Sequence, residues 1–153
     1  MPTIDLKTFI NANPETCFDL SLDIDLHVQS MKETNEKAIG GRTGGRINID
    51  ESVIWKARHF GVYFNMTIRI TELVRPLNFT DEMVKGPFKY LRHKHVFEKT
   101  QDGTMMTDLF EFQSPFGILG QISDKFFLTT YMRKLLLKRN ELIKVTAERT
   151  KSF

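Results

Sequence analysis

The residues best placed to do chemistry are three histidines and two aspartates on otherwise apolar strand faces. His93 and His95 stand two apart, so in a strand they share one face with Leu91 and Phe97. On the same reasoning His59 shares a face with Trp55, Asp81 with Phe79 and Met83, and Asp108 with Met106, Phe110 and Phe112. Buried ionisable groups cost free energy unless they are paired. A carboxylate beside an imidazole can fix its tautomer or hold its charge. Such a set can orient a polar head group on a bound ligand. It can also serve general acid–base chemistry, for which His59, His93 and Asp108 are the candidates. The plainer alternative is a satisfied polar pair within the sheet. His93 and His95 alone lack a clear third ligand, so neither a metal nor a cofactor is expected.

The elements that must carry these residues are legible as a pattern. Thr3–Ile10 reads as a strand. Asn13-Pro14-Glu15 reads as a helix start, with Asn as cap, Pro at the first helical position and an early acid. A second short helical piece follows over Asp23–Val28. Glu36–Ile39 is a short strand candidate. From residue 51 to 114 apolar and polar residues alternate, as antiparallel strands with one wet face require. Gly61, Arg75-Pro76, Gly86-Pro87, Asp102-Gly103 and Pro115 punctuate this run. It therefore divides into strands ending near His59 and at Arg75-Pro76, then over Phe79–Lys85, Phe88–Lys99 and Thr104–Gln113. A two-residue turn at Asp102-Gly103 puts Asp108 opposite Phe97 and diagonal to His95. Shifting the loop by one residue at each end puts it directly opposite His95. A slip of one residue beyond Gly86-Pro87 would instead turn Tyr90 and Arg92 inward.

From about Ile118 to Glu148 the spacing predicts one long helix. Its apolar stripe includes Ile118, Ile122, Phe126, Leu128, Tyr131, Met132, Leu135, Leu136, Leu142 and Ile143. Lys125, Arg133, Lys134, Lys138, Arg139, Lys144 and Arg149 are assigned to a solvated basic back. A curved sheet around that helix makes a two-layer α+β domain, with a cavity wherever the helix does not fill the concave side.

The chain of 153 residues is expected to be a single domain spanning 1–153, large enough for a full core. With 41% hydrophobic and 27% charged residues it is not a disordered sequence. One cysteine, Cys17, excludes an intramolecular disulfide and a cysteine-rich zinc site and reads as an inert core thiol. The net charge of +3 gives no cause to expect nucleic acid. The start shows no basic segment followed by an apolar run, and no stretch is long and apolar enough to span a bilayer. A cytoplasmic location without stable membrane insertion is the expectation, as a monomer or weak homodimer. The loop Gly40–Arg46 fits neither phosphate-loop spacing and reads as flexible, with two arginines able to meet an anion at the rim. Asp19, Asp23 and Asp25 lack the calcium-loop pattern.

Several segments resemble bacterial members of the SRPBCC superfamily. They are Ala38-Ile39-Gly40-Gly41-Arg42-Thr43-Gly44, Trp55-Lys56-Ala57-Arg58-His59-Phe60-Gly61, the run from Phe79 to Phe88, His93–Glu98, Gly103–Asp108 and Ser114-Pro115-Phe116-Gly117. The resemblance covers nearly the whole chain. It implies the START-like, helix-grip fold of ligand-binding and polyketide cyclase-like proteins: a curved antiparallel sheet wrapped around a long C-terminal helix, with two short helices after the first strand. That superfamily hosts carriers, receptors and cyclases, so the fold alone does not name an activity.

The reading is of a protein that binds a small apolar molecule, such as a lipid, isoprenoid or polyketide-like compound, between sheet and C-terminal helix. The expected site comprises Trp55, His59, Phe64, Met66, Phe79, Asp81, Met83, His93, His95, Asp108, Phe110 and Phe112. Two alternatives stand beside it. One is a cyclase or dehydratase using a pocket histidine as acid or base. The other is a non-catalytic interaction protein working through the basic helix face or a sheet edge.

Overall fold

A computed structural model describes residues 2–114 and 127–151. The chain runs β1 (Thr3–Ile10), α1 (Pro14–Ser21), α2 (Ile24–Ser30), a short 3-10 turn, then β2 (Lys37–Gly41), β3 (Ser52–His59), β4 (Val62–Val74), β5 (Asn78–Lys85), β6 (Tyr90–Lys99), β7 (Thr104–Gln113) and α3 (Thr129–Lys151). The strands form one antiparallel sheet in the order β1-β7-β6-β5-β4-β3-β2. Only β1 leaves the sequential order, crossing to pair with β7. That crossing carries α1 and α2 over one face of the sheet.

Local chemistry sets the two short helices. The Asn13 side chain accepts from Thr16 N at 2.9 Å with Pro14 in the first turn, and the Asp23 side chain caps α2 by accepting from Leu26 N at 3.0 Å. The bend between them lets Phe18 reach the sheet, where its ring meets Phe79 and Phe97 edge-on at centroid distances of 5.6 and 5.4 Å. Cys17 is fully buried beside it, and burial pushes its thiol pKa up, as befits an inert core residue.

Two details differ from the sequence pattern. β6 starts at Tyr90 rather than Phe88. Gly40 and Gly41 belong to β2, where the chain passes so close to β3 that a Cβ on Gly41 would lie 2.2 Å from Ser52 O. The two arginines of that loop are engaged, Arg42 with Glu51 and Arg46 with Asp19, both at 2.8 Å. The long helix is described only in part. Its described part is Thr129–Lys151, and the expected helical stretch from Ile118 to Phe126 lies outside the described residues.

Arg139 corrects the basic-back assignment. It is 6% exposed and inserted toward the sheet, next to Asn140 at 1%. The physical reason is its place on the buried stripe: Met132, Leu136, Arg139, Ile143 and Ala147 follow one another at steps of three and four, which is one helix face. The helix packs on β1, α1 and α2. Lys144 donates to Phe9 O at 2.8 Å, and Asn140 to Thr8 Oγ1 at 3.2 Å. The earlier turns of α3 stand off from the far half of the sheet. Irregular pairing in β4, between Thr67 and Ile68 and between Ile70 and Glu72, bends that half away.

Candidate functional site

The space left between α3 and the bent sheet is a cavity of about 470 Å³. Its walls are mostly apolar. Trp55 and Ala57 come from β3, Phe64, Met66, Ile68 and Ile70 from β4, Phe79 from β5, Leu91 from β6 and Phe110 from β7. Tyr131, Met132, Leu135 and Leu136 face them from α3. His59, Asp81, His93 and His95 also line it, so nine of the twelve residues expected at the site surround one space.

The other three do not reach the cavity. Met83 lies near the end of β5, half-buried and turned toward Gly86. Phe112 is fully buried and packs edge-on beneath Phe88, itself a lining residue, at 5.7 Å. Asp108 is fully buried behind the two histidines. Its place follows from the register: Lys99 pairs with Thr104, so a four-residue loop closes the hairpin and His95 stands opposite Asp108. The side chains of β6 turn as its apolar alternation requires, with His93 and His95 buried and Tyr90 and Arg92 facing Glu111 and Glu82.

The polar groups form one buried cluster across four elements. His93 Nε2 lies 2.7 Å from Asp108 Oδ1, and His95 Nε2 lies 2.8 Å from Asp81 Oδ2. Asp108 Oδ2 accepts from Asn140 Nδ2 at 2.7 Å. Arg139 Nη1 reaches Asp108 Oδ1 at 3.4 Å and donates to Asn140 Oδ1 at 2.9 Å. Arg139 Nη2 lies 3.3 Å from His95 Nδ1. The two imidazoles stack at 3.7 Å, and Phe79 stacks on His95 at 4.1 Å. Asp108 thus pairs with the guanidinium within an apolar wall, and Asp81 lies close enough to feel its charge.

Burial and the neighbouring His95 push the His93 pKa down to about 4, against the pull of Asp108. Burial alone would lift Asp108, but the hydrogen bond from His93, the neighbouring His95 ring and the Arg139 charge hold it well below the usual carboxylate range. The balance at Asp81 is the same in kind, with the His95 hydrogen bond lowering it. At neutral pH His93 is thus neutral, donates Nε2–H to ionised Asp108, and keeps an unprotonated Nδ1. The unfolded chain takes up a proton on this histidine near pH 6.5, the folded chain only near 4. Stability is therefore retained above pH 6.5 and lost as pH falls toward 4, with Asp108 extending the loss at lower pH. Thermal melts between pH 7 and 4 should show this decline, and it should be shallower in His93→Gln.

A second polar pair stands at the β3–β4 turn. His59 Nδ1 lies 2.6 Å from Tyr131 Oη. Desolvation lowers the His59 pKa and raises that of Tyr131, so the pair is neutral, with the phenol donating to the ring. Phe60, at φ 54°, packs on Tyr131 at 4.7 Å and on Phe127 at 5.2 Å. Tyr131, Arg139 and Asn140 join these polar groups, and the sequence reading does not single them out as site residues. The helical spacing from Leu135 and Leu136 was the available signal for all three.

Comparison with solved structures follows this architecture. TTHA0849 from Thermus thermophilus superposes with a TM-score of 0.74 over 95% of this chain and 99% of that one, at 18% identity. Ginseng major latex-like protein 151 from Panax ginseng gives 0.68 over 95% and 97%, at 17%. The di-domain ARO/CYC StfQ from the steffimycin biosynthetic pathway gives 0.80 over 99% of this chain and 52% of that one, at 10%. The chain has the helix-grip fold. The likeness is one of fold, while no family model matches the sequence and no curated protein matches it significantly. Among the described residues no helix of this helix-grip domain is long and apolar enough to cross a membrane.

Proposed function

We propose that the domain binds a small, mostly apolar molecule in the cavity between sheet and α3, with a polar group of that molecule turned to the His93–His95–Asp81 wall. The observation that carries this reading is the cavity itself: about 470 Å³, apolar on most sides, with Asp81, His93 and His95 gathered on one wall. That combination of apolar volume and few convergent polar groups is what small-molecule sites require. Lipid, isoprenoid and polyketide-like compounds fit this chemistry. The helix-grip neighbours include a protein described as an ARO/CYC of a biosynthetic pathway, which agrees with such ligands. It also supports a second reading, in which the unprotonated Nδ1 of cavity-lining His93 takes a proton in a cyclisation or dehydration.

Trp55 is the sole tryptophan and lines the cavity, so it reports occupancy directly. Titration with an apolar naphthalene fluorophore should change Trp55 emission saturably. Ala57→Phe places a ring in the same space and should weaken that binding at least tenfold, with a melting temperature within a few degrees of the parent. Unchanged Trp55 emission, or equal affinity in the filled variant, would overturn the reading. Native mass spectrometry of the gently purified protein then names any compound it carries.

A further inference from the structure

We propose that Asp81, His93 and His95 form a binding site for a divalent transition-metal ion of the Zn(II) type in the cavity wall. One donor atom from each lies within 4.8 Å of the other two, and all three side chains line the cavity. Two imidazoles and one carboxylate suit borderline divalent ions such as Zn(II), Fe(II) or Co(II) far better than Ca(II) or Mg(II). The proposal does not rest on which apolar molecule, if any, fills the cavity.

The second observation is the placement of Asp108. Its Oδ1 lies 2.7 Å from His93 Nε2 and 3.3 Å from His95 Nδ1, so one buried carboxylate faces one nitrogen of each ring. Metal-bound imidazoles are characteristically held from behind by such a carboxylate, which fixes their orientation and raises their basicity. The nitrogens turned away from Asp108 are His93 Nδ1 and His95 Nε2. His93 Nδ1 takes no hydrogen bond among the described residues. His95 Nε2 has Asp81, the third ligand, as its partner at 2.8 Å. Asp108 is anchored in turn by Asn140 and Arg139.

Charge points the same way. Asp81 and Asp108 against Arg139 leave the wall one negative charge in excess, which a dication reverses to one positive. An anionic group on the apolar ligand then balances it.

The proton account closes without a net release. In the metal-free protein Arg139 donates to His95 Nδ1, so the His95 proton sits on Nε2 and faces Asp81. On metal binding that proton moves to Nδ1, where Asp108 Oδ1 accepts it, and Nε2 is freed to coordinate. Arg139 gives up the ring and keeps Asp108 and Asn140. Tetrahedral donors at about 2.1 Å from an ion stand roughly 3.4 Å apart, so His93 draws in by rotamer adjustment of the order of an ångström while the 2.8 Å His95–Asp81 pair opens slightly.

The test uses the full chain stripped with a chelator and titrated with ZnCl2 by calorimetry and with CoCl2 by visible absorption. The expected result is one ion per chain at micromolar affinity or better, intense cobalt bands of low coordination number, and a rise in melting temperature with added Zn(II). Nitrogen-15 spectra of the histidine rings should show the His95 proton moving from Nε2 to Nδ1. Asp81→Asn and His95→Ala should each weaken binding at least tenfold. No saturable binding at 100 μM Zn(II) to the parent protein would overturn the site. So would binding that survives in Asp81→Asn and His95→Ala but fails in His27→Gln, which would move the ion to the His27–Glu36 pair. The parent titration and ring spectra decide the matter even if a variant fails to fold.

Discussion

Replacing Asp108 with alanine should cost about 3–5 kcal/mol, the range for breaking a buried ion pair from one side. Three donors lose their acceptor at once: His93 Nε2–H, Asn140 Nδ2–H and the Arg139 guanidinium. The guanidinium is the largest contributor. Arg139 is 6% exposed, so its charge would be left with little water around it. For a domain of this size the loss corresponds to a melting temperature lower by roughly 10–15 °C. Asp108→Asn should fall between, since it keeps an acceptor and loses the charge. Asp108→Leu combined with Arg139→Met should recover most of the deficit, because a buried pair exchanged for apolar groups of similar volume is often neutral. Differential scanning calorimetry of the four proteins checks this. A single-variant change under about 2 °C would show that the carboxylate is not the anchor its contacts suggest.

Phe18→Ala should cost about 3–5 kcal/mol, as truncation of a well-packed core phenylalanine does. Phe18 is fully buried and meets Phe79 and Phe97 edge-on, so it pins α1 to β5 and β6. The effect should reach the cavity, because Phe79 is stacked on His95 at 4.1 Å. A looser Phe79 leaves that ring less restrained. The expected result is therefore a lower denaturant midpoint together with weaker uptake of the naphthalene probe. Phe18→Leu, which keeps most of the volume, should lose less than half as much. Equal midpoints for Phe18→Ala and the parent would show that α1 is held by other contacts.

The strands were legible because period-two alternation is strict where one face is wet, and β7 matches the expected Thr104–Gln113 residue for residue. The sequence also marked the inward histidines and Asp108, since ionisable residues among phenylalanines stand out. It could not show that Asp108 stands behind the histidines, nor that Asp81 meets His95. Both depend on register across neighbouring strands, set by the length of the 100–103 loop and by the connection from Lys85 to Tyr90. Arg139 was misplaced for another reason. Charge type outweighed position, although steps of three and four from Met132 and Leu136 put it on the buried face. A long basic side chain on an apolar stripe signals a buried acid elsewhere, and here that acid lies on the last strand.

That arrangement fixes the order in which the domain can be completed. The acid of the last strand is synthesised some thirty residues before the two α3 side chains that neutralise and cap it. Until Arg139 and Asn140 are made, a paired sheet would hold Asp108 against His93 and His95 alone, at a cost relieved by leaving the hairpin open to water. Vectorial synthesis therefore delivers the sheet as an unfinished half, and docking of α3 is the step that commits the chain to its native core.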